Sequence, residues 1–307
     1  MRRADKMRKE VGVIGLGNMG FGIASNLLKA GFHLSVYDVR PEPMDKLKAK
    51  GAVAVSGVRE MGRSCPLVFS VLLDYKQNLD SLTGPDGLFE SMEKGGSVFV
   101  CSTLSPAQVR ELAAIAQKRG IHMLDAPVSG GIQGAEAGTL SIMIGGNAKA
   151  LEKNRKALEA IGSHIFHMGE VGTGEAAKAI NQMLVATHNV AAAEAMLMAS
   201  KSGINLRQMY EILQNSAGYS WMFEHRAMRM IERDFKSRGV LKILLKDTNI
   251  VMETAQSLGV VLPILGLVRQ LFQAGVNRGL GDEDDSAIVK VLEELNCYQL
   301  NENKKNI

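Results

Sequence analysis

Hydrophobic and polar positions alternate along the first half of the chain in a way that predicts strands separated by helices. Short runs of β-branched and other apolar residues stand at 11–16, 33–38, 66–73, 97–103 and 121–127. Most of them lead into longer stretches with apolar residues at helical spacing. Strands that alternate with helices indicate βαβ units and a parallel, doubly wound sheet. Two further strands are expected at 139–146 and 164–169, on either side of a helix over 147–161.

From Gly172 onwards the pattern changes and predicts helices alone. Apolar residues recur at helical spacing over 174–201, 205–215, 220–234, 238–258, 262–276 and 284–295. We therefore predict an α/β domain over 11–171 and an all-helical domain over 172–307. The basic segment 1–10 is expected to be a flexible tail. The acidic run 282–285 is expected to be a solvated loop and helix start.

The composition excludes several classes of protein. With 307 residues, 46% hydrophobic and 22% charged, the chain has the make-up of a globular protein of about two domains. No apolar run approaches the length of a membrane span, and no basic stripe interleaved with aromatics indicates nucleic-acid binding. Cys65, Cys101 and Cys297 are too few and too far apart for a disulfide framework, and the histidines show no metal-ligand spacing. We expect a cytoplasmic protein that binds no metal, nucleic acid or membrane.

The segment GLGNMG at 15–20 is a G-x-G-x-x-G turn between a predicted strand and a predicted helix. Gly15 permits the tight turn, Gly17 lets the backbone approach a pyrophosphate, and Gly20 allows close packing of helix on strand. The free N–H groups around Asn18 and Met19, at the start of the helix, attract that pyrophosphate. This context predicts a Rossmann-like dinucleotide-binding domain, with a simple βα turn as the alternative.

Asp38 and Arg40 point to opposite cofactors. Asp38 lies at the end of the second predicted strand, where a carboxylate accepts hydrogen bonds from the ribose hydroxyls of NAD and repels a 2′-phosphate. Arg40, two residues further on, could pair with the phosphate of NADP. The sequence therefore favours NAD and leaves NADP open.

Two other turns follow predicted strands and present polar groups. Ser129, Gly130 and Gly131 combine a hydroxyl with exposed backbone N–H groups, which suits a substrate carboxylate. The alternative is a crowded loop that needs glycine for its backbone angles. Thr103 follows another strand and is a candidate contact on the nicotinamide side. The residue that begins the next helix as its N-cap is more naturally Ser105 than Thr103.

Lys178, Asn181 and Gln182 lie on one face of a predicted helix, because they are spaced three and four residues apart. No charged residue follows Lys178 until Glu194. A lysine in a partly desolvated pocket has its charged form disfavoured and can exchange a proton near neutral pH. The two amides could then orient a hydroxyl or a carboxylate. The alternative is a lysine that extends along the helix to reach solvent.

Together these segments resemble the β-hydroxyacid dehydrogenase family, which includes 3-hydroxyisobutyrate dehydrogenase and tartronate semialdehyde reductase. The resemblance spans about residues 11–295. Five blocks carry it in order: VGVIGLGNMG, STLSPAQV, DAPVSGGIQGAEAGTLSIMIGG, GEVGTGEAAKAINQML and LLKDTNIVMETAQSLGVVLPI. It implies a Rossmann-like domain followed by an all-helical domain for substrate binding and oligomerisation, with a long helix between them.

The resemblance also implies roles for particular residues. Lys178 is the implied acid/base, and Ser129, Gly130 and Gly131 are implied substrate contacts. Thr103 and Lys246 are implied cofactor contacts. The family often has asparagine four residues after the lysine. Here that place holds Gln182, with Asn181 beside it, so either amide could contact the substrate.

The segment SWMFE at 220–224 is similar to the L-threonate dehydrogenase subgroup. By this resemblance Trp221 and Phe223 help to close the substrate pocket, with an ordinary place in the helical core as the alternative. The resulting hypothesis is an NAD(P)-dependent enzyme that transfers a hydride to or from a small C3–C4 hydroxy acid such as L-threonate, 3-hydroxyisobutyrate or glycerate. A homodimer or homotetramer is expected. The alternatives are an inactive nucleotide-binding partner module and an imine reductase of the same fold.

Overall fold

The computed structural model describes residues 10–300, which divide into two compact units between Lys178 and Ala179. The predicted tail falls outside the described residues except for Glu10, which already belongs to the first strand. Each unit has a hydrophobic core of its own.

Within residues 10–178, nine strands form one sheet. They are β1 (Glu10–Ile14), β2 (His33–Tyr37), β3 (Val53–Ala54), β4 (Leu67–Ser70), β5 (Ser97–Val100), β6 (His122–Asp125), β7 (Val128–Ser129), β8 (Leu140–Gly145) and β9 (Gly162–Gly169). Their spatial order is β3-β2-β1-β4-β5-β6-β8-β7, with β9 also beside β8. The first six strands are parallel, which confirms the predicted doubly wound sheet.

β8 departs from the parallel pattern, because it runs antiparallel to both β6 and β7. Hydrophobic periodicity carries no information on strand direction, so the sequence did not predict this reversal. The glycine-rich segment before β8 was expected to be a loop, but it contains the two-residue strand β7 and a short helix.

Helices separate the strands of this unit. They are α1 (Asn18–Lys29), α2 (Pro41–Lys48), α3 (Val58–Ser64), α4 (Tyr75–Thr83), α5 (Pro106–Lys118), α6 (Gly131–Ala137), α7 (Ala148–Lys153) and α8 (Arg155–Ile161). The helix predicted over 147–161 is divided at Asn154, which has non-helical backbone angles. Along β5, Val98 and Val100 belong to one core cluster and Phe99 to another, as expected for a strand buried on both faces.

The second unit is helical, as predicted. The long helix α9 (Thr173–Lys201) leads into it, and α10 (Leu206–Gln214), α11 (Trp221–Glu232), α12 (Leu241–Ser257), α13 (Pro263–Asn277) and α14 (Ile288–Leu295) follow. Among residues 179–300 the only extended pairing is a single bridge between Val240 and Asp284.

The interpretation of the acidic run 282–285 as a solvated segment is wrong for two of its residues. Asp284 is fully buried and Asp285 is only 4% exposed. Arg229 pairs with Asp284 at 3.0 Å, and Arg226 pairs with Asp285. Both arginines lie on α11, more than 50 positions earlier in the chain, so the local charge pattern did not reveal them.

Candidate active site

The glycine turn and Asp38 meet at the carboxyl ends of two neighbouring strands. β1 and β2 pair in parallel with Ile14 opposite Tyr37, so the segments that follow them emerge side by side. The backbone N–H of Leu16, inside the glycine turn, donates to Asp38 Oδ2 at 2.6 Å. β4 lies on the other side of β1, so the turn lies where the strand order reverses. Open α/β sheets bind ligands at this point.

Each glycine of the turn has different surroundings. Gly15 has a φ of +86°, and a Cβ there would lie 2.5 Å from the carbonyl oxygen of Val71. A Cβ on Gly20 would collide with the carbonyl oxygen of Gly15. Gly17 has an ordinary φ of −66°, and nothing lies within 4 Å of the position its Cβ would take. The space beside Gly17 is therefore open, whereas the other two glycines are required by the fold.

The start of α1 is suited to an anion. Asn18 and Met19 are its first residues, and no side chain caps it at Gly17. The first N–H groups of a helix lack partners within the helix, and the helix dipole adds a partial positive charge there. A pyrophosphate beside Gly17 would meet these groups. The turn therefore fits the dinucleotide that the sequence predicted.

Asp38 is nearly buried and is paired with Arg40. Asp38 Oδ1 accepts hydrogen bonds from the backbone N–H of Arg40 at 2.9 Å and from its Nε at 3.0 Å. Burial raises the pKa of the Asp38 carboxyl, but the hydrogen bonds from Arg40 and Leu16 outweigh it and leave the pKa below its usual range. The carboxylate is therefore ionised at neutral pH. The Arg40 side chain is 58% exposed and lies against the same carboxylate.

Buried polar side chains support the region around Thr103. Ser70, at the end of β4, donates to Asn78 Oδ1 at 2.8 Å, and Asn78 Nδ2 donates to Ser102 at 2.9 Å. This chain ties together the segments that follow β4 and β5. Thr103 comes next and is half-buried. Ser105 caps α5 through a reciprocal capping box, which confirms that Ser105 is the N-cap residue of this helix.

Asp125, which the sequence did not single out, anchors the beginning of α9. Its Oδ1 accepts from the N–H of Gly172 at 2.8 Å, and its Oδ2 accepts from the N–H of Glu175 at 2.9 Å. Side chains at Gly145 or Gly174 would intrude on this carboxylate. Burial raises the pKa of Asp125, although these backbone N–H groups oppose the effect. A carboxylate at the end of β6 therefore caps the helix that carries Lys178.

Lys178 lies three residues after Glu175 in α9 and is only 7% exposed. This burial disfavours the alternative in which the side chain extends into solvent. Lysine is rarely buried in this way. Burial disfavours the charged form of an amine, which is the property that a proton acceptor needs. The capped helix start fixes the backbone that holds the amine.

In the second unit, Asn181 and Gln182 form a hydrogen-bonded chain with a buried carboxylate. Asn181 Nδ2 donates to Gln182 Oε1 at 2.9 Å, and Gln182 Nε2 donates to Asp247 Oδ2 at 2.6 Å. Lys246, the predicted cofactor contact, has its Nζ 3.0 Å from Asp247 Oδ1. Gln182 is 8% exposed and Asp247 is 2% exposed, whereas Asn181 is half-buried. Asp247, which directly follows Lys246, was not predicted as a site residue from the sequence.

The predicted carboxylate-binding residues lie on β7 and at the start of α6. Ser129 is half-buried on β7 and lies opposite Ser141 of β8. Gly130 and Gly131 have φ values of +128° and +63°, so the backbone itself requires glycine here. Nothing lies within 4 Å of a Cβ placed on Gly131, which leaves its surroundings open.

Trp221 and Phe223 occupy different environments on α11. Phe223 is 3% exposed and stacks on Tyr210 with ring centroids 5.6 Å apart. It belongs to the core of the helical unit, which was the alternative to a place in the substrate pocket. Trp221 is 46% exposed and stacks on the ring of His225.

Two further findings concern residues 10–300. Within this range no group of three or more histidine, cysteine, aspartate or glutamate side chains is arranged to hold a metal ion. No helix of the described part of the chain is long and apolar enough to cross a membrane.

A doubly wound sheet with this glycine turn defines a dinucleotide-binding protein. The sequence profile of the NAD binding domain of 6-phosphogluconate dehydrogenase matches residues 10–169. The profile of the NAD-binding region of NADP-dependent 3-hydroxyisobutyrate dehydrogenase matches residues 172–292.

Comparison with individual proteins gives the same family. L-threonate dehydrogenase of Cupriavidus necator is 35% identical over 286 residues, which cover 93% of this chain and 96% of that protein. NAD-dependent L-serine dehydrogenase of Pseudomonas aeruginosa is 36% identical, with coverages of 93% and 98%. The crystal structure of 3-hydroxyisobutyrate dehydrogenase from Salmonella typhimurium superposes with a TM-score of 0.86 at 36% identity, covering 92% of this chain and 99% of that one.

The chain therefore belongs to the β-hydroxyacid dehydrogenase family of 3-hydroxyisobutyrate dehydrogenase-like enzymes. It is an NAD(P)-dependent oxidoreductase that acts on the CH–OH group of a small hydroxy acid. This confirms the predicted class of enzyme and the predicted type of cofactor.

Proposed function

We propose that Lys178 is the acid/base of this dehydrogenase and that the substrate is a C3–C4 hydroxy acid. The observation that carries the proposal is the burial of Lys178 in a helix start that Asp125 caps. Alcohol oxidation requires a base for the hydroxyl proton while the bound nicotinamide supplies the hydride acceptor. In the reverse direction the protonated amine returns the proton to the alkoxide oxygen.

Two of the relatives support the proposed size of the substrate. L-threonate and L-serine, the acids in their names, combine a carboxylate with hydroxyl or amino groups on a three- or four-carbon chain. Ser129, Gly130 and Gly131 are proposed to hold the carboxylate through the serine hydroxyl and backbone N–H groups. Thr103 and Lys246 are proposed to contact the cofactor. Trp221 keeps a proposed place beside the substrate because its ring is half exposed, and Phe223 would support that wall from the core.

NAD is the proposed cofactor. The ionised Asp38 at the end of β2 would accept hydrogen bonds from the ribose hydroxyls and repel a 2′-phosphate. Arg40 is held against this carboxylate by two side-chain hydrogen bonds. It would have to leave Asp38 before it could pair with a phosphate, so its presence does not reverse the preference.

A panel of NAD and NADP against L-threonate, D-glycerate, L-serine and 3-hydroxyisobutyrate tests the proposed function. We expect reduced-nicotinamide absorbance with at least one of these acids. We also expect kcat/KM with NAD to exceed that with NADP by at least about tenfold, because opposed like charges cost several kcal/mol. No absorbance change with any acid would contradict the proposed substrate class, and a preference for NADP would contradict the role of Asp38.

Replacement of Gly17 by valine is expected to weaken NADH binding by at least about a hundredfold without unfolding the protein, because the side chain would fill the space proposed for the pyrophosphate. Gly57→Val is the matched control. Gly57 also precedes a helix, has extended backbone angles and has nothing within 4 Å of its Cβ position. NADH fluorescence titration measures both variants. Equal affinity in the two would place the pyrophosphate elsewhere.

We further propose that the enzyme works in the cytoplasm as a homodimer or homotetramer. Cys65, Cys101 and Cys297 form no disulfide, which suits a reducing compartment. Ile264 and Leu267 on α13 are about two-thirds exposed at 66% and 67%, which suits an interface between copies. A monomeric mass by light scattering would oppose this assembly.

A further inference from the structure

Asp247 ends a chain of three hydrogen-bonding side chains that begins at Asn181. Its carboxylate is 2% exposed on α12 and accepts from Gln182 Nε2 at 2.6 Å. Gln182 in turn accepts from Asn181 Nδ2 at 2.9 Å. Asn181 is the outermost of the three, because it is half-buried while the other two are buried.

The chemistry of the carboxylate decides the direction of every bond in this chain. An ionised carboxylate can only accept hydrogen bonds, whereas an amide has a donor end and an acceptor end. Gln182 must therefore turn its NH₂ group towards Asp247 and its carbonyl oxygen towards Asn181. Asn181 must donate a hydrogen bond to that oxygen from its own NH₂ group. An asparagine in place of Asp247 could present either end, and the direction would no longer be fixed.

A positive charge accompanies the buried carboxylate. Lys246 Nζ lies 3.0 Å from Asp247 Oδ1, an ion pair that is not aligned as a hydrogen bond. The positive charge of Lys246 compensates the carboxylate in this buried place, where Asp247 is 2% exposed. An acceptor-only group is thereby held at the inner end of the chain.

We infer that Asp247 is a positioning residue that makes Asn181 present its carbonyl oxygen, rather than its NH₂ group, to the substrate. The inference rests on the proposed function, in which the helix face of Lys178 borders the substrate. Asn181 lies three residues after Lys178 and therefore on the same face of α9. The group that meets this carbonyl oxygen must then be a hydrogen-bond donor, a hydroxyl or an ammonium. A carboxylate oxygen cannot bind at this carbonyl oxygen and is left to Ser129 and its neighbours.

Reversal of the chain tests the inference. Asn181→Asp puts a carboxylate at the outer end, so that acceptors oppose each other across Gln182, and we expect kcat/KM to fall at least about tenfold. Asp247→Asn alone leaves an amide that can still accept, so the expected loss is about threefold or less. In the double variant, the new amide at position 247 donates to Gln182, and Gln182 donates to the new carboxylate at position 181. The whole chain is then satisfied in the opposite direction, and the carboxylate at position 181 keeps a free oxygen for the substrate donor.

The double variant is therefore expected to recover at least about tenfold over Asn181→Asp, a strongly non-additive result. Asp247→Asn combined with Ser129→Ala is the control and should recover nothing. NADH binding by each variant shows that it is folded. Losses that simply multiply in the double variant would overturn the inference. Wild-type activity in Asn181→Asp would also overturn it, while hydride transfer by the unaltered enzyme would leave the proposed function standing.

Discussion

Replacing Lys178 with alanine is expected to lower kcat by at least about a thousandfold while NADH binding stays unchanged. A positioned acid/base contributes about 10²–10⁴-fold to a proton-transfer step. The amine also acts from a buried position, so water cannot easily replace it. NADH binding survives because the glycine turn and Asp38 lie on other segments of the first unit. Stopped-flow measurement of nicotinamide reduction separates the chemical step from cofactor binding.

Two further variants distinguish proton transfer from a merely electrostatic role. Lys178→Arg keeps the positive charge but cannot release a proton near neutral pH, so it should be nearly as inactive as the alanine variant. Lys201→Ala, at the other end of α9, is the control and should retain full activity, because Lys201 is exposed. If Lys178→Arg restored turnover to within about tenfold of the unaltered enzyme, the amine would be a charge partner and not the acid/base.

The cofactor turn could be predicted from the sequence because its parts are close together along the chain. Gly15, Gly17 and Gly20 have fixed spacings, and the expected acidic residue, Asp38, ends the next strand. In the structure the backbone N–H of Leu16 donates to Asp38, so the glycine turn and the acidic residue are in contact. The helices of the second unit could be predicted for a similar reason, since each shows its own periodicity.

The groups that hold the site in place could not be predicted in this way. Asp125 accepts from Gly172, 47 residues later and just before a helix, and Asp247 accepts from the amide of Gln182, 65 residues earlier. No local pattern records such a contact. A weak signal was present in both cases, because each aspartate stands among apolar residues of a strand or helix. A charged residue in such a place must find a partner when it is buried.

The acidic run 282–285 is another case in which the local sequence could not predict a distant partner. Four consecutive acidic residues indicate a solvated segment when only the sequence is considered. Asp282 follows that expectation, since its side chain is 84% exposed. Asp284 does not, because Arg229 reaches it from α11. The sequence shows four acidic residues in a row, but only the tertiary structure shows which of them are buried.

Loss of the Asp284 carboxylate is expected to destabilise the second unit strongly. Asp284 accepts two hydrogen bonds from Arg229 Nη1, at 3.2 and 3.0 Å, and others from Ser286 and the N–H of Arg238. Burial raises the pKa of Asp284, but the bonds from Ser286 and the charge of Arg229 outweigh it and keep the pKa below its usual range. Asp284→Ala would leave the guanidinium of Arg229 nearly buried without this partner. We expect the free energy of unfolding to fall by about 3–5 kcal/mol.

Asp282→Ala is the matched control from the same acidic run. Its partner is Lys242, and both side chains are more than half exposed, at 54% for Lys242 and 84% for Asp282. Exposed pairs of this kind contribute about 1 kcal/mol or less. The single tryptophan, Trp221, lies on α11 in the same unit and reports its unfolding in urea by fluorescence. With a slope of about 2 kcal/mol per molar urea, Asp284→Ala should move the midpoint down by roughly 1.5–2.5 M. Equal midpoints for the two variants would mean that the buried pair adds no more than a surface one.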